Sequence, residues 1–193
     1  MEREIKRKIV HMLLGITFVL LVFFDLFAGI HFVLLFFIGL INSWICKQYR
    51  VPVLSWFLDR LERAEDRKFL PGKGALTFIA GSGMSVLLFS KLAALTAIIV
   101  LSLADAASFI IGKYFGRYVH PFNPNKHLEG LAAAFIFGVP AAMVFLPTVR
   151  AFIVAAFAAV IETANIKIAG FRIDDNLSVP LATGLITSLL LLI

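Results

Sequence analysis

The chain has 193 residues, of which 61% are hydrophobic and 16% charged, and its mean hydropathy is +0.96. Ordinary soluble domains carry roughly 45–50% apolar and about 25% charged residues, so one globular core cannot hide this much apolar surface and a soluble enzyme is excluded. The net charge of +6 and pI near 9.7 fit a bilayer protein whose basic residues set orientation and meet anionic headgroups, rather than a nucleic-acid binder.

Taken in chain order, seven apolar runs lie between the charges, at about 9–24, 26–46, 74–90, 92–112, 130–149, 151–170 and 177–193. Each approaches the roughly 17–25 residues that a helix needs to cross a bilayer core. The expected fold is therefore all-α, a polytopic transmembrane bundle of about seven spans in a single domain, 1–193. The first run has a basic start, as a signal peptide does. It lacks a small-residue cleavage pattern and passes through Asp25 into the next run, so it is read as a retained helix. The one cysteine, Cys46, ends the second run, where a passive thiol is expected and no intramolecular disulfide can form.

The segment 47–73 is the one long polar stretch. Leu54, Phe57, Leu58 and Leu61 recur there at helical spacing among mixed charges, which predicts an amphipathic interfacial helix or a connector packed on the bundle. PGKG at 71–74 then ends it. Further on, Lys91 and Arg150 each interrupt an apolar stretch too long for one crossing, which predicts two antiparallel helical hairpins. Counting Lys and Arg in alternate loops places 16 of the 18 on one side, with Lys91 and Arg150 opposite. The positive-inside rule makes that side cytoplasmic, so the N-terminus is expected inside and the C-terminus outside.

Ionisable groups are costly in a bilayer and are functional candidates wherever they stand in or beside a span. Glu4, Lys8, His11 and Gly15 share one stripe of the first helix, either as an ordinary basic flank or as part of a site. Asp105 lies about two turns inside the fourth run, with Ser108, Gly112 and Gly116 on roughly the same face, where small residues admit a ligand or a second helix. Asp105 is either a buried partner for a lysine or a site residue. The loop HPFNPNKHLEG follows, in which Asn125 is expected to cap the fifth span and Lys126 and Glu129 to stand at its first turn, suited to phosphate or a divalent cation. In the sixth run Glu162 and Asn165 face the interior. Asp175 and Asn176 stand at the mouth of the seventh, as helix caps or as ligands. Carboxylates and carboxamides beside lysines suit a site where magnesium and cations hold a polyphosphate. No Walker-type GxxxxGK[ST] motif is present.

In order along the chain, KRKIVHMLLG, LADAASFIIGKYFG, NPNKHLEG and IDDNLSVPL resemble the membrane-embedded polyprenol kinase family, which includes CTP-dependent dolichol, phytol and farnesol kinases and a CTP-dependent diacylglycerol kinase. The resemblance implies transfer of the CTP γ-phosphate to a long isoprenoid alcohol with Mg2+ or another divalent cation, in an integral membrane protein with a cytoplasmic site. It implies catalytic roles for Asp105, Lys126 and Glu129, nucleotide or phosphate contacts from Lys8, His11, Gly112, Gly116, Asn125, Lys126 and Asn176, and metal contacts from Asp105, Glu129 and Asp175. The middle motif is shared with phosphatidate cytidylyltransferases, through Asp105, Gly112, Gly116, Pro124, Lys126, Glu129 and Gly130, so CDP-lipid synthesis is the alternative. Those enzymes are known by a late Pro-Gly-His-Gly-Gly run where this chain has IDDNLSVPL, and His127 replaces their usual threonine. A second alternative is a small ion or proton transporter using Asp105 and Glu162. The expected partners are the alcohol, CTP and membrane lipids, with no nucleic acid.

Overall fold

A computed structural model describes residues 2–62, 64–164, 167–168 and 171–193. Among these the chain forms α1 (Glu2–Phe23), α2 (Gly29–Gln48), α3 (Pro52–Leu61), α4 (Ala64–Phe69), α5 (Lys73–Leu88), α6 (Lys91–Phe115), β1 (Val119–His120), β2 (Asn123–His127), α7 (Leu128–Met143), α8 (Thr148–Thr163), β3 (Lys167–Ile168), β4 (Phe171–Arg172) and α9 (Asp175–Leu191). Each of the seven apolar runs coincides with a helix, so the architecture is all-α with two small hairpins. Of the helices, α2 and α6 are long and apolar enough to cross a bilayer, and α5, α7 and α9 are shorter apolar helices.

Helix α6 is apolar on every side, and a helix of that kind belongs at the centre of a bundle. It packs against α1, α5, α7, α8 and α9. Its Ala93, Ala94, Ala97, Ile98, Val100 and Ala104 have no exposed surface. Around it the phenylalanines Phe18, Phe27, Phe32 and Phe78 stack or meet edge to face, filling the space between α1, α2 and α5. The outward faces are apolar too: Leu34, Phe37, Ile41 and Trp44 on α2, Ile136 on α7, and Phe152 on α8 are exposed.

The break at Lys91 is as expected. Helix α5 ends at Leu88, and the Ser90 side chain accepts from the Ala93 N–H to start α6. The second break needs correction, because Arg150 sits in the first turn of α8 and the chain reverses at 144–147, where Pro147 stands at the N-cap. Proline has no N–H to give and favours a helix start, so here Pro147 rather than the charge is the punctuation. The sixth run also ends early, at Thr163, and gives way to β3 and β4. These pair antiparallel with Lys167 opposite Arg172, while in the other hairpin Val119 faces His127 and His120 faces Asn123.

At one end of the bundle the α1–α2 and α5–α6 turns are joined by Lys91 and Asp25, 2.6 Å apart. Asp25 takes a positive φ of 59°, a conformation Asp tolerates better than most residues. At the other end lie the start of α1, the α4–α5 junction, the end of α6, the β1–β2 hairpin and the start of α9. Pro52 opens α3 at a first-turn position where its missing N–H is not needed. That helix leans on α1, half-burying Leu54, Leu58 and Leu61, and leaves Val53, Trp56 and Phe57 exposed, with the Arg60 guanidinium 4.2 Å over the Trp56 ring.

Candidate active site

Helix α1 carries Lys8 to the polar end of the bundle, where its ammonium donates to both carboxylate oxygens of Asp105 on α6. Both side chains are buried. The lysine alternative for Asp105 is therefore realised, and the partner is another residue that the sequence singled out. One turn further along α6, the Ser108 hydroxyl donates to Glu162 at 2.9 Å. Glu162 is 1% exposed, at the end of α8. From β2, the Lys126 ammonium donates to the Glu162 carboxylate, to the Glu162 carbonyl at 2.9 Å and to Asp175 at 3.3 Å. Burial disfavours the Lys126 ammonium, but Glu162, Asp175 and Asp105 outweigh it and hold its pKa above the ordinary lysine value.

Neighbouring residues fix these groups in place. Asn123 is fully buried and donates to the Thr163 carbonyl at 2.9 Å, which ties β2 to the end of α8. Asn176 donates to Thr77 at 3.2 Å and to the Gly74 carbonyl at 3.3 Å, which ties α9 to α5. Helices α6 and α7 cross where Gly112 and Gly130 leave no side chain between them; a Cβ on Gly112 would stand 3.2 Å from the Gly130 Cα. This crossing brings the Lys126 strand against α6.

The result is one cavity of about 600 Å³ that brings together Lys8, Asp105, Gly112, Asn125, Lys126, Glu162, Asp175 and Asn176. Its wall also holds Arg7, Asp66, Lys73, Lys113 and Asp174, so among the described residues five basic side chains face five acidic ones. The Lys8 and Lys113 ammonium groups lie 5.6 and 5.2 Å from the Phe109 ring.

Several expected site residues stand elsewhere. Glu129 is outside the cavity, and its carboxylate accepts from the backbone N–H groups of Arg117, at 2.8 Å, and Tyr118, at 3.2 Å. Gly116 is also outside; a Cβ there would strike the Gly112 carbonyl and the His127 ring, so its bareness serves packing. His11 is buried one turn below Lys8, stacked on Phe78 at 5.2 Å, and lines a separate, smaller cavity. Asn125 does not cap α7, because it lies within β2 and His127 takes the N-cap position. Capping of α9 falls to Asp174, whose side chain accepts from the Asn176 N–H at 3.0 Å, rather than to Asp175 or Asn176. Asn165 lies outside the described residues.

Arg7, Asp66, Lys73 and Lys113 were not singled out as site residues. A signal for Lys73 was present: PGKG places a lysine in the first turn of a span, directly after Gly72, whose φ of +81° suits glycine. Among the described residues no three His, Cys, Asp or Glu side chains gather as a metal cage.

An uncharacterized protein of Methanocaldococcus jannaschii is 32% identical over 194 residues, covering 95% of this chain and 92% of that one. The chain belongs to its family. Kinases are among the more distant homologues of this chain. Phytol kinase 1 of Arabidopsis thaliana, a chloroplastic protein, is 27% identical across 94% of the chain, which spans 65% of the plant protein's length. The CTP-dependent diacylglycerol kinase 1 of Eremothecium gossypii is 35% identical over 72 residues, 37% of this chain and 23% of the fungal one. No family model and no solved structure matches the chain.

Proposed function

We propose that the chain is a membrane-embedded, CTP-dependent lipid kinase that moves the γ-phosphate of CTP to a long isoprenoid alcohol at the cytoplasmic face. The observation that carries the reading is the 600 Å³ cavity in which Lys8 and Lys126 are each held by a buried carboxylate, at one end of a bundle with an apolar exterior. Homology to a phytol kinase and to a CTP-dependent diacylglycerol kinase supports it, as do the exposed leucines and phenylalanines, which a soluble monomer would rarely display in such number.

Phosphoryl transfer requires in-line positioning and neutralisation of charge more than covalent chemistry. Lys126 and Lys8 are the principal phosphate ligands, with Arg7, Lys73 and Lys113 around them. Each of the first two lysines is neutralised by its carboxylate, which preserves the buried charges until a polyphosphate oxygen replaces that partner. Magnesium is usually held by one or two carboxylates together with substrate phosphates, and the carboxylates of Asp105 and Asp175 on the cavity wall beside the lysines fit that habit. Asp105 and Asp175 are the residues that would hold it, and when bound it supplies neutralisation of the phosphate charge. The seven helices are then the walls of a lipid-facing bundle with the N-terminus inside.

The test is purified protein with magnesium, a polyprenol and CTP labelled at either the γ or the α phosphorus. Label from the γ position is expected in a lipid phosphate, and Asp105→Asn and Lys126→Met are each expected to abolish it, as is chelation of the divalent cation. Label from the α position in lipid would establish cytidylyl transfer instead.

A further inference from the structure

A smaller cavity, of about 160 Å³, lies between α1, α3 and the start of α5. Val10, Leu14, Leu58 and Leu61 make its walls apolar. Arg7, Asp66 and Gly74 line both this slot and the large cavity, so the two are neighbours, and at Gly74 no side chain stands between them.

Two polar atoms in the slot are unsatisfied. Among the described residues His11 Nδ1 and Glu62 Oε2 are buried without a hydrogen-bond partner. The rest of the Glu62 carboxyl is occupied, since Oε1 accepts from the backbone N–H groups of Gly72 and Lys73. A buried polar atom left unpaired costs on the order of 1–3 kcal/mol, so the Glu62 oxygen, with the unpaired His11 nitrogen in the same slot, calls for a ligand that brings a hydroxyl able to donate. The slot is also below the roughly 300–1,000 Å³ of pockets that enclose a drug-sized ligand. It suits the head of a longer molecule whose tail leaves it. Phe57 marks the exit, because it lines the slot and is itself 49% exposed on α3.

We infer that this slot receives the hydroxyl end of the lipid acceptor, with the alcohol O–H donating to Glu62 and the oxygen turned toward the phosphate-binding cavity. This rests on the kinase reading above and adds to it the place and chemistry of the acceptor site. A neutral alcohol satisfies an unpaired carboxylate oxygen, whereas a fatty acid or a lipid phosphate brings negative charge against Glu62. The same group therefore favours a neutral alcohol over an anionic head at this position.

The experiment uses full-length protein in nanodiscs, a long isoprenoid alcohol bearing a diazirine, and the methyl ether of that alcohol as a probe without the donor. The alcohol is expected to crosslink to α1 and α3 residues of the slot, and the ether is not. Glu62→Gln keeps the acceptor for Gly72 and Lys73 but turns the free oxygen into an amide donor. Leu58→Trp fills the slot without touching that contact. Each is expected to raise KM for the alcohol by about tenfold while KM for CTP stays within about twofold. Equal crosslinking of the ether, or wild-type alcohol KM in both variants, overturns the inference and leaves the kinase reading standing. Crosslinking in the slot with no phosphate transfer from any nucleotide supports the alcohol site and overturns the kinase reading.

Discussion

Glu162 brings a negative charge to a position with 1% exposure, and Lys126 and Ser108 answer it. Removing one partner of a buried pair leaves the other charge uncompensated and costs roughly 3–5 kcal/mol, whereas removing both is often close to neutral. Lys126→Met is therefore expected to lower the thermal stability of the detergent-solubilised protein by about 3 kcal/mol. Lys126→Met combined with Glu162→Gln is expected to recover most of that loss while leaving phosphate transfer dead. If the double variant regained transfer, the phosphate role of Lys126 would be wrong. Because the folded pKa of Lys126 lies above its unfolded value, the stability it contributes is complete below about pH 10 and is lost as pH rises through the folded pKa. Melting curves between pH 6 and 9 should show no step from this residue. At this scale the sequence is informative about which groups the fold gathers at one end and less so about how they pair. Lys8, Asp105, Lys126 and Glu162 stand out because charge in or beside a span is costly, but which lysine meets which carboxylate depends on how the four segments α1, α6, β2 and α8 pack. Glu129 stood out for the same reason, yet an acidic group at a helix start is equally suited to tying down a turn, and it does so here.

At the scale of elements, the crossing of α6 and α7 decides how near the Lys126 strand comes to Asp105. A Cβ on Gly130 would stand 2.9 Å from the Ser108 carbonyl, and backbone cannot yield as a flexible side chain does. Gly130→Val is expected to separate the two helices, destabilise the protein by about 1–3 kcal/mol and raise KM for CTP, measured by thermal unfolding and initial rates. Gly112→Ala, meeting the Gly130 Cα at 3.2 Å, is expected to be milder. Helices were legible because apolar runs between charges are long and strong signals, and Lys91 marked a true boundary. The hairpins were not, since strands of two to five residues have too few positions to show alternation, and HPFNPNKH reads as a turn by composition. Arg150 marks the second boundary only approximately, because a basic side chain can remain in a helix's first turn, and the chain turns at 144–147 instead.

For the whole molecule, the polar end and the end joined by Asp25 and Lys91 are distinct, and the topology we propose from the charge asymmetry puts the polar end on the cytoplasmic side. In a variant with Cys46→Ser, a single cysteine at Phe122 is expected to react with an impermeant maleimide only from the cytoplasmic side, and one at Val149 only from the other. Both positions are well exposed. Labelling of both from one side would refute the seven-span topology. The separations along the chain also set a timetable for assembly. Lys8 waits 97 residues for Asp105, Gly74 waits 102 for Asn176, and Lys126 meets Asp175 only when the last helix begins. During synthesis Lys8 has no counter-charge until α6 is made and Lys126 none until α8 is made, and a nascent chain stalled before α9 still lacks Asp175 and Asn176, so the site is completed only by the last helix.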